Sequence, residues 1–294
     1  MNTNQLFSCM HTHTIFCDGS DDIETMCRAA YEKNLYAIGF SAHVPVEKQL
    51  GTDTEWSMKQ ENMDKYAEEI RLAKKRWEGK IKVFLGMEAD YIKGMRSPND
   101  SDIKALNLDF VIGSVHFIVP KNGAAPFTVD GSEEEFKNGI RDGFNGSAEK
   151  LMHEYYDMLL EMIDQEGFDI LAHADLIKKN SLNKNLWKAE DELLRQREVA
   201  IAISKKNIVI EVNTGGINRK KITEVYPSLT FLKIIKEYNI PVIITADAHC
   251  KEDVNKNYNI ATETLLLADI KEHMLFNGKN NTRVEWKKEK IVKI

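Results

Sequence analysis

Two histidines and an aspartate lie close together near the start of the chain, in the segment 10–19, MHTHTIFCDG. The residues before them, LFSCM, are typical of a short apolar strand, on which residues i and i+2 point to the same face. His11 and His13 would then stand side by side at the C-terminal end of that strand. Such a pair suits a divalent metal ion, but an isolated pair is also typical of exposed or hydrogen-bonded histidines. The rest of the chain must decide between these alternatives.

The other histidines repeat this placement. Six of the eight histidines fall at or near the C-terminal ends of apolar runs, whereas His153 and His273 fall in predicted helical segments as surface or packing residues. Three carboxylates also follow apolar runs, where an acidic side chain is costly unless it is paired or metal-bound. The candidate metal ligands are His11, His13, Asp18, His43, Glu88, His116, His173, Asp247 and His249.

Nine ligands are more than one metal ion needs. With Glu88 bridging two ions they supply about ten bonds, which is enough for three divalent ions. Three ions contribute six positive charges, the three carboxylates remove three, and a bridging hydroxide removes one. The two positive charges left over match a phosphate monoester dianion. A bridging hydroxide is also a nucleophile at neutral pH, because metal ions lower the pKa of bound water.

Three basic residues near the same strand ends are candidates for binding a phosphate group. Lys178 and Lys179 follow His173 by five and six residues, and Arg219 follows the run EVNTGG. Arginine makes two-pronged contacts with phosphate and lysine acts as a point charge, although each of the three is equally consistent with a solvated loop. The segment 213–216, NTGG, either brings the backbone close to a substrate or forms a tight turn.

The elements that position these residues alternate between apolar runs and segments of helical periodicity. Seven runs of strand character precede a charged segment, 282–294, whose alternation predicts a last edge strand. The seven runs are short and almost wholly apolar, as in a parallel sheet buried on both faces. They predict either an α/β barrel of seven units or a doubly wound sheet. Because only a closed barrel brings all strand ends to one rim, a single site drawing on nearly every strand favours the barrel.

Local signals predict the ends of several elements. A helix should follow the first strand, with Ser20 or Asp21 as its N-cap, and Ser57 with Gln60 forms a capping box before the next helix. Residues 119–147 are polar, glycine-rich and weakly periodic, and they predict a long loop with one helical turn. The helix after the capping box should bury an apolar stripe of Met63, Tyr66, Ala67, Ile70, Ala73 and Trp77.

Composition and charge exclude several classes of protein. The 294 residues are 43% apolar and 29% charged with a net charge of -6, which is typical of a soluble globular chain without the basic field that nucleic acid requires. We find no leader sequence and no apolar run of about 20 residues, the length that crosses a bilayer. The four cysteines lack paired spacing, so we expect reduced thiols in a cytoplasmic protein. Cys17 and Cys250 adjoin candidate ligands and are expected to be packing residues.

Six short motifs carry a family resemblance. HTHTIFCDG, SAH, GMEADY, GSVHF, LAHADL and ITADAH occur in the order and spacing of the PHP (polymerase and histidinol phosphatase) superfamily, which the chain resembles over essentially its whole length. Within that superfamily, VIGSVHF, FDILAHADLIKK, EVNTGG…YPSLTFLK and IPVIITADAH are similar to the histidinol-phosphatase branch. The resemblance implies a distorted (β/α)7 barrel, TIM-like, in a single domain over residues 1–294.

The resemblance also implies a trinuclear metal centre with Zn, Mn or Fe. It implies one ion held by His11, His13, Glu88 and Asp247, a second by Glu88, His116 and His173, and a third by Asp18, His43 and His249. The implied activity is hydrolysis of L-histidinol phosphate, a small phosphate ester, to L-histidinol and phosphate by attack of a metal-bridged hydroxide on phosphorus. The predicted catalytic residues are Asp247, His249 and Glu88, with Asp247 or His249 as the acid that protonates the leaving alkoxide.

Three other functions remain open from the sequence. A phosphoesterase of the same superfamily acting on another small phosphate monoester would share all nine ligands. A protein-tyrosine phosphatase fits the YPSLTFLK and LIKK contexts less well. A non-catalytic metal-binding module is opposed by the complete ligand set. The sequence does not indicate an oligomeric state.

Overall fold

Seven parallel strands form a nearly closed barrel in the computed structural model, which describes residues 6–46, 50, 54–280 and 283–292. Backbone hydrogen bonds from His13 to Ala248 and from Ala248 to His11 join the segments after the first and last strands. The barrel predicted from the sequence is therefore confirmed. In order around the sheet, the strands are β1 (Ser8–Cys9), β2 (Ala37–Phe40), β3 (Lys82–Asp90), β4 (Phe110–Ser114), β7 (Ile170–Leu171), β8 (Val209–Asn213) and β9 (Val242–Thr245).

Helices connect these strands and cover the outside of the barrel. The predicted apolar stripe of the second long helix is buried from Met63 to Trp77, since residues three and four apart lie on one helical face. No helix within the described ranges is long and apolar enough to span a bilayer. The helices are α1 (Ile23–Glu32), α2 (Met63–Arg76), α3 (Ser101–Ala105), α4 (Glu133–Gly143), α5 (Ala148–Gln165), α6 (Lys178–Ser181), α7 (Ala189–Ile203), α8 (Gly215–Asn218), α9 (Leu229–Glu237) and α10 (Tyr258–Leu267).

A C-terminal hairpin closes the N-terminal end of the barrel. Strands β10 (Glu272–Asn280) and β11 (Arg283–Lys290) pair antiparallel with each other in a sheet of their own. Phe276 of β10 packs on Phe84 and Phe110, with ring centroids 4.7 and 5.4 Å apart. The predicted last strand is thus present as β11, although residues 282, 293 and 294 lie outside the described residues. Apolar contacts fill this end, which leaves the C-terminal rim for polar side chains.

Two predictions, one about the polar segment 119–147 and one about His273, are wrong. Residues 119–147 contain strand β6 (Phe127–Thr128), which pairs antiparallel with β5 (Phe117–Ile118), and all of helix α4. Ser132 caps α4 through the amide of Glu135, so a good N-cap compensates for the weak periodicity. His273 lies on β10 rather than on a helix, and its buried ring stacks on Phe7 with centroids 5.3 Å apart.

Two predicted helix starts also differ from the structure. Asp22, not Ser20 or Asp21, caps α1 by accepting a hydrogen bond from the amide of Thr25. The capping box is absent, because a 3-10 turn at Gln60–Asn62 precedes α2 and the Ser57 hydroxyl donates to the carbonyl of Thr54. Ser228 caps α9 by accepting a hydrogen bond from the amide of Phe231. Capping depends on the backbone path before the helix, which sequence spacing alone does not give.

Candidate metal centre

All nine predicted ligands meet at the C-terminal rim of the barrel. Each follows or ends a strand: His11 and His13 come after β1, Glu88 lies within β3, and Asp247 comes after β9. The side chains of most of them are buried, whereas Asp18 and His249 keep 31% and 20% of their side chains exposed. These two residues therefore mark the side of the site that is open to solvent.

Glu88 stands at the centre of the group. Its Oε2 atom lies 3.0 Å from His11 Nε2 and 3.0 Å from His43 Nδ1, and 3.6 Å from His13 Nε2. Its Oε1 atom lies 3.1 Å from His173 Nε2 and 3.7 Å from His116 Nε2. Each carboxylate oxygen thus faces a separate set of imidazoles, which is the arrangement that a bridging ligand requires.

A third set of donors surrounds Asp18. Its Oδ2 atom lies 3.0 Å from His249 Nε2, and its Oδ1 atom lies 3.5 Å from His13 Nδ1 and 3.9 Å from His43 Nε2. Asp247 Oδ1 lies 3.2 Å from His13 Nε2 and 3.5 Å from His249 Nδ1. Asp18 and Asp247 therefore flank His13 and His249 from two sides.

The donor atoms have the spacing of metal ligands. Two ligands on one zinc ion, each about 2.0–2.2 Å from the metal, lie roughly 3–3.5 Å apart in tetrahedral geometry, close to the separations seen around Glu88. Buried His13 Nε2 and His43 Nδ1 make no hydrogen bond although both are close to a carboxylate oxygen. Unpaired buried nitrogens are costly, and a divalent ion between the donors satisfies them. The residues present therefore fit divalent metal ions.

Two carboxylates that the sequence analysis missed orient the histidines. Glu211 Oε1 lies 2.6 Å from His11 Nδ1, and Asp90 Oδ1 lies 2.8 Å from His116 Nδ1. A carboxylate at Nδ1 fixes the ring and leaves Nε2 for a metal. Asp90 follows Glu88 by two residues on β3 and so shares its face, and Glu211 is a charged residue in an apolar run. Both signals were present in the sequence.

The carboxylates dominate the electrostatics of the site. Burial opposes ionisation of Glu88, but the facing imidazoles of His11 and His43 outweigh burial and hold its pKa well below the usual range. Burial also opposes the charged form of His116, but Asp90 and Glu88 raise its pKa to about 10. Burial lowers the pKa of His43 to about 4. The concentrated negative charge of these carboxylates is the environment that a divalent cation occupies.

Backbone strain accompanies two of the ligands. Asp247 has φ of 49° and His173 has φ of 21°, values that L-residues rarely adopt, and such strain is concentrated at functional sites. A Cβ atom on Gly215 would lie 2.7 Å from Asp247 Oδ2, so a glycine is needed there to leave room for this carboxylate. The NTGG segment forms the turn into helix α8 and supports Asp247, with Asn213 Nδ2 donating to it at 3.3 Å.

The three predicted phosphate-binding cations have different surroundings. Arg219 lies at the site, where its Nη2 atom is 2.9 Å from Asp247 Oδ2 and its Nη1 atom is 2.9 Å from His249 Nδ1. Lys179 lines the same cavity and pairs with Asp130 at 3.3 Å. Lys178 is buried elsewhere, and its ammonium contacts Asp175, Glu224 and the carbonyl of Val225. The structure therefore brings Arg219 and Lys179, but not Lys178, to the cavity.

A cavity of about 440 Å³ opens above the ligands. This volume is in the range of small-molecule sites. Sequence reasoning missed several residues on its wall, among them Trp56, Asp130 and Lys221. Trp56 packs against His43 and His116, with centroids 4.6 and 5.7 Å apart. These residues lie on loops, where no periodic pattern identifies them.

The two cysteines beside the ligands do not extend the site. Cys17 Sγ lies 3.5 Å from His13 Nδ1, and burial raises the pKa of its thiol to about 12. A thiol must lose its proton to bind a metal, and burial opposes that loss at Cys17. Cys250 is a free cysteine beside His249; burial also raises the pKa of its thiol.

Fold and site together define an α/β-barrel protein with a cluster of histidine and carboxylate side chains at the C-terminal rim that fits divalent metal ions. A family model described as PHP domain matches residues 10–215, which is more than half of the chain. The chain belongs to the PHP domain family. The resemblance noted in the sequence is thereby confirmed.

Three similar proteins have related descriptions. The chain is 26% identical over 271 residues to the histidinol-phosphatase of Bacillus subtilis, covering 86% of this chain and 97% of that protein. The fold matches a candidate histidinol phosphatase of Listeria monocytogenes with a TM-score of 0.73 and 22% identity, covering 85% of this chain and 98% of the other. It also matches a histidinol phosphate phosphatase of Lactococcus lactis, solved with Zn, L-histidinol and phosphate, with a TM-score of 0.64 and 21% identity over 88% and 94% of the two chains.

Proposed function

We propose that this protein is a metal-dependent phosphatase that hydrolyses L-histidinol phosphate to L-histidinol and phosphate. The observation that carries the proposal is the position of Glu88, whose two carboxylate oxygens each face a different set of histidine nitrogens at 3.0–3.7 Å. The similarity to the Bacillus subtilis histidinol-phosphatase over 86% of the chain supports this choice of substrate within the family.

The proposed metal content is three divalent ions, Zn, Mn or Fe. The three ligand sets are those implied by the family resemblance, with Glu88 shared by the first and second sets and Asp18 in the third. Divalent ions at such a site activate a water molecule as nucleophile and neutralise charge that develops on the phosphoryl oxygens. We further propose that residues 1–294 act as one domain in the cytoplasm, with a small phosphate ester as partner and without nucleic acid or membrane.

Several side chains hold the proposed metal ligands in fixed positions. Glu211 and Asp90 hold the rings of His11 and His116 through Nδ1, and Arg219 holds Asp247 and His249 through three hydrogen bonds from its guanidinium. A site whose donors are already in place loses little free energy to reorganisation during the reaction.

Binding of the phosphate depends on cations beside the metal ligands. Glu211 and Asp90 add two negative charges to the three of Asp18, Glu88 and Asp247, so the two surplus positive charges counted from the sequence are cancelled. Attraction for a phosphate dianion then comes from the basic side chains on the wall, above all Arg219 and Lys221. Lys179 contributes less, because Asp130 already pairs with it.

Departure of the alcohol requires a proton. Of the two predicted donors, Asp247 and His249, we propose His249, whose Nδ1 lies 3.5 Å from Asp247 Oδ1 on the cavity wall. Burial opposes ionisation of Asp247, but the Arg219 guanidinium and the His11 imidazole hold its pKa well below the usual range, so it carries no proton to donate. Arg219 also contacts His249 Nδ1, and its charge favours the neutral ring that remains after the proton has left.

A panel of phosphate esters tests the proposed activity. We expect kcat/KM for L-histidinol phosphate to exceed that for sugar phosphates, nucleotides, a phosphotyrosyl peptide and p-nitrophenyl phosphate. Glu88→Gln should lose both metal and turnover, because glutamine keeps the size but lacks the charge shared by two ions. Glu190→Gln, at an exposed position in the first turn of α7, is the matched control. A metal-loaded protein that hydrolyses none of these esters would contradict the proposal.

A further inference from the structure

The cavity above the metal ligands carries groups of both signs. Arg219 and Lys221 are on its wall together with the carboxylate of Asp130, which lies on the loop between β6 and α4. Asp130 is close enough to Arg219 to stabilise its positive charge. A ligand that fits this wall carries an anionic group and a cationic group a short distance apart.

Asp130 has a carboxylate oxygen available to a ligand. Its Oδ2 atom accepts a hydrogen bond from Lys179 Nζ at 3.3 Å, whereas Oδ1 accepts none from the part of the chain that the structure describes. The side chain is 29% exposed although the residue lines the cavity. Lys179 Nζ also donates to the backbone carbonyl of Asp130. A partly exposed carboxylate inside a cavity, with one oxygen free of hydrogen bonds from the described residues, is a ready acceptor for a cation.

The loop that carries Asp130 is held from two sides. Glu135 Oε1 accepts hydrogen bonds from both the amide and the hydroxyl of Thr128, at 2.8 and 3.1 Å. Asn180 Nδ2 donates to the carbonyls of Val129 and Gly131, at 3.0 and 3.2 Å. Asp130 is therefore fixed in place before any ligand arrives, and a fixed charged group loses little entropy on binding.

We propose that Asp130 binds the ammonium group of the substrate and makes the enzyme selective for phosphate esters of amino alcohols. The inference rests on the proposed function, because L-histidinol phosphate carries its ammonium on the carbon next to the phosphorylated one. With the phosphate at Arg219 and the metal ligands, that ammonium lies beside the phosphate, and Asp130 supplies the acceptor for it on the same wall. A charge-assisted hydrogen bond of this kind both orients and discriminates.

A purely structural role for Asp130 makes a different prediction. If Asp130 only holds Lys179, then its loss should affect every phosphate ester equally. If it binds the ammonium, its loss should affect only esters that carry one. Asp130→Asn separates the two roles, because asparagine keeps the size and an oxygen acceptor for Lys179 but removes the charge.

The experiment compares L-histidinol phosphate with its deamino analogue, 3-(imidazol-4-yl)propyl phosphate, on metal-loaded protein. We expect Asp130→Asn to lower kcat/KM for L-histidinol phosphate about 10- to 100-fold, the range for a hydrogen bond to a charged group, and to change the analogue less than 3-fold. Asp130→Glu should restore part of the selectivity. Lys179→Met should reduce turnover of both esters by the same factor, and Glu134→Gln, exposed on α4, is the surface control.

Calorimetry provides a readout that does not depend on turnover. L-histidinol should bind the Asp130→Asn variant at least 10-fold more weakly than the unchanged protein, while inorganic phosphate binds both equally or the variant more tightly. Equal losses for the ester and its analogue, or unchanged L-histidinol affinity, would overturn the role of Asp130 and leave the proposed function intact. If the unchanged protein itself does not prefer L-histidinol phosphate to p-nitrophenyl phosphate, the proposed function fails, and this inference fails with it.

Discussion

Replacing Glu211 tests whether the carboxylates that orient the proposed metal ligands are needed for metal binding. It is fully buried and touches none of the proposed ions, yet its carboxylate accepts four hydrogen bonds. Oε1 accepts from Thr245 Oγ1 and faces His11 Nδ1 at 2.6 Å, and Oε2 accepts from the amide of His173 and from Asn213 Nδ2, both at 3.0 Å. Glu211→Gln keeps the shape of the side chain but leaves only one acceptor oxygen.

Either orientation of the new amide harms the site. If its NH2 group faces His11, then Nδ1 must become the acceptor and the ring proton moves to Nε2, which can no longer bind a metal. If the NH2 group faces the amide of His173, two donors lose their acceptor, at about 1–3 kcal/mol each. Replacing a carboxylate that orients a metal-binding histidine typically weakens metal affinity about 10- to 100-fold.

The assay for Glu211→Gln is a chelator competition that measures metal affinity, together with kcat/KM on L-histidinol phosphate at saturating metal. We expect affinity for the most weakly held ion to fall about 10- to 100-fold, with kcat/KM falling at least as far. Thermal unfolding of the metal-free protein should show a loss of stability as well. Glu190→Gln is the control. Metal affinity and kcat/KM both within twofold of the unchanged protein would refute the assigned role of Glu211.

Three further substitutions test separate parts of the structure. Arg219→Ala should cost about 1.5–3 kcal/mol in kcat/KM, the usual value for a charge-assisted hydrogen bond; an unchanged kcat/KM would leave Arg219 as a structural partner of Asp247. Asp18→Asn should lower metal content from three ions toward two and reduce activity steeply, because no other set uses this ligand; three ions with full activity would make Asp18 a turn residue. Burial lowers the pKa of His273 to about 4. The folded state therefore keeps the ring neutral, and the free energy of unfolding decreases by up to about 3 kcal/mol as the pH falls from 6.5 to 4. His273→Phe should therefore make the free energy of unfolding, measured in urea, depend less on pH over that range. The same pH dependence in both proteins would contradict this.

The barrel and the clustering of the nine side chains at its rim could be predicted because their signals are local. Each strand is a short apolar run, and each of His43, His116 and His173 stands at the end of one. A parallel barrel then brings those ends together without further information. Asp18 could be predicted to lie at the site because it is close to His13 in the sequence.

The orienting and lining residues could not be assigned from local signals. Glu211 and Asp90 are visible as charges in apolar runs, but their roles depend on which histidine nitrogen they face across the barrel. Lys178 and Lys179 are neighbours on the short helix α6, but they point in different directions. Lys178 forms a buried ion pair with Asp175, whereas Lys179 lines the cavity. Such differences arise from backbone geometry after the strand, which composition and spacing do not specify.

The most direct test of the metal centre is a stepwise metal titration of the metal-free protein, with bound ions and hydrolysis of L-histidinol phosphate measured on the same samples. Zn²⁺ and Mn²⁺ should each be tried, because histidine and carboxylate ligands accept both. We expect up to three ions per chain, with kcat reaching its maximum only as the third ion binds. Full activity with one ion per chain, or three ions bound without hydrolysis of the ester, would contradict a trinuclear phosphatase.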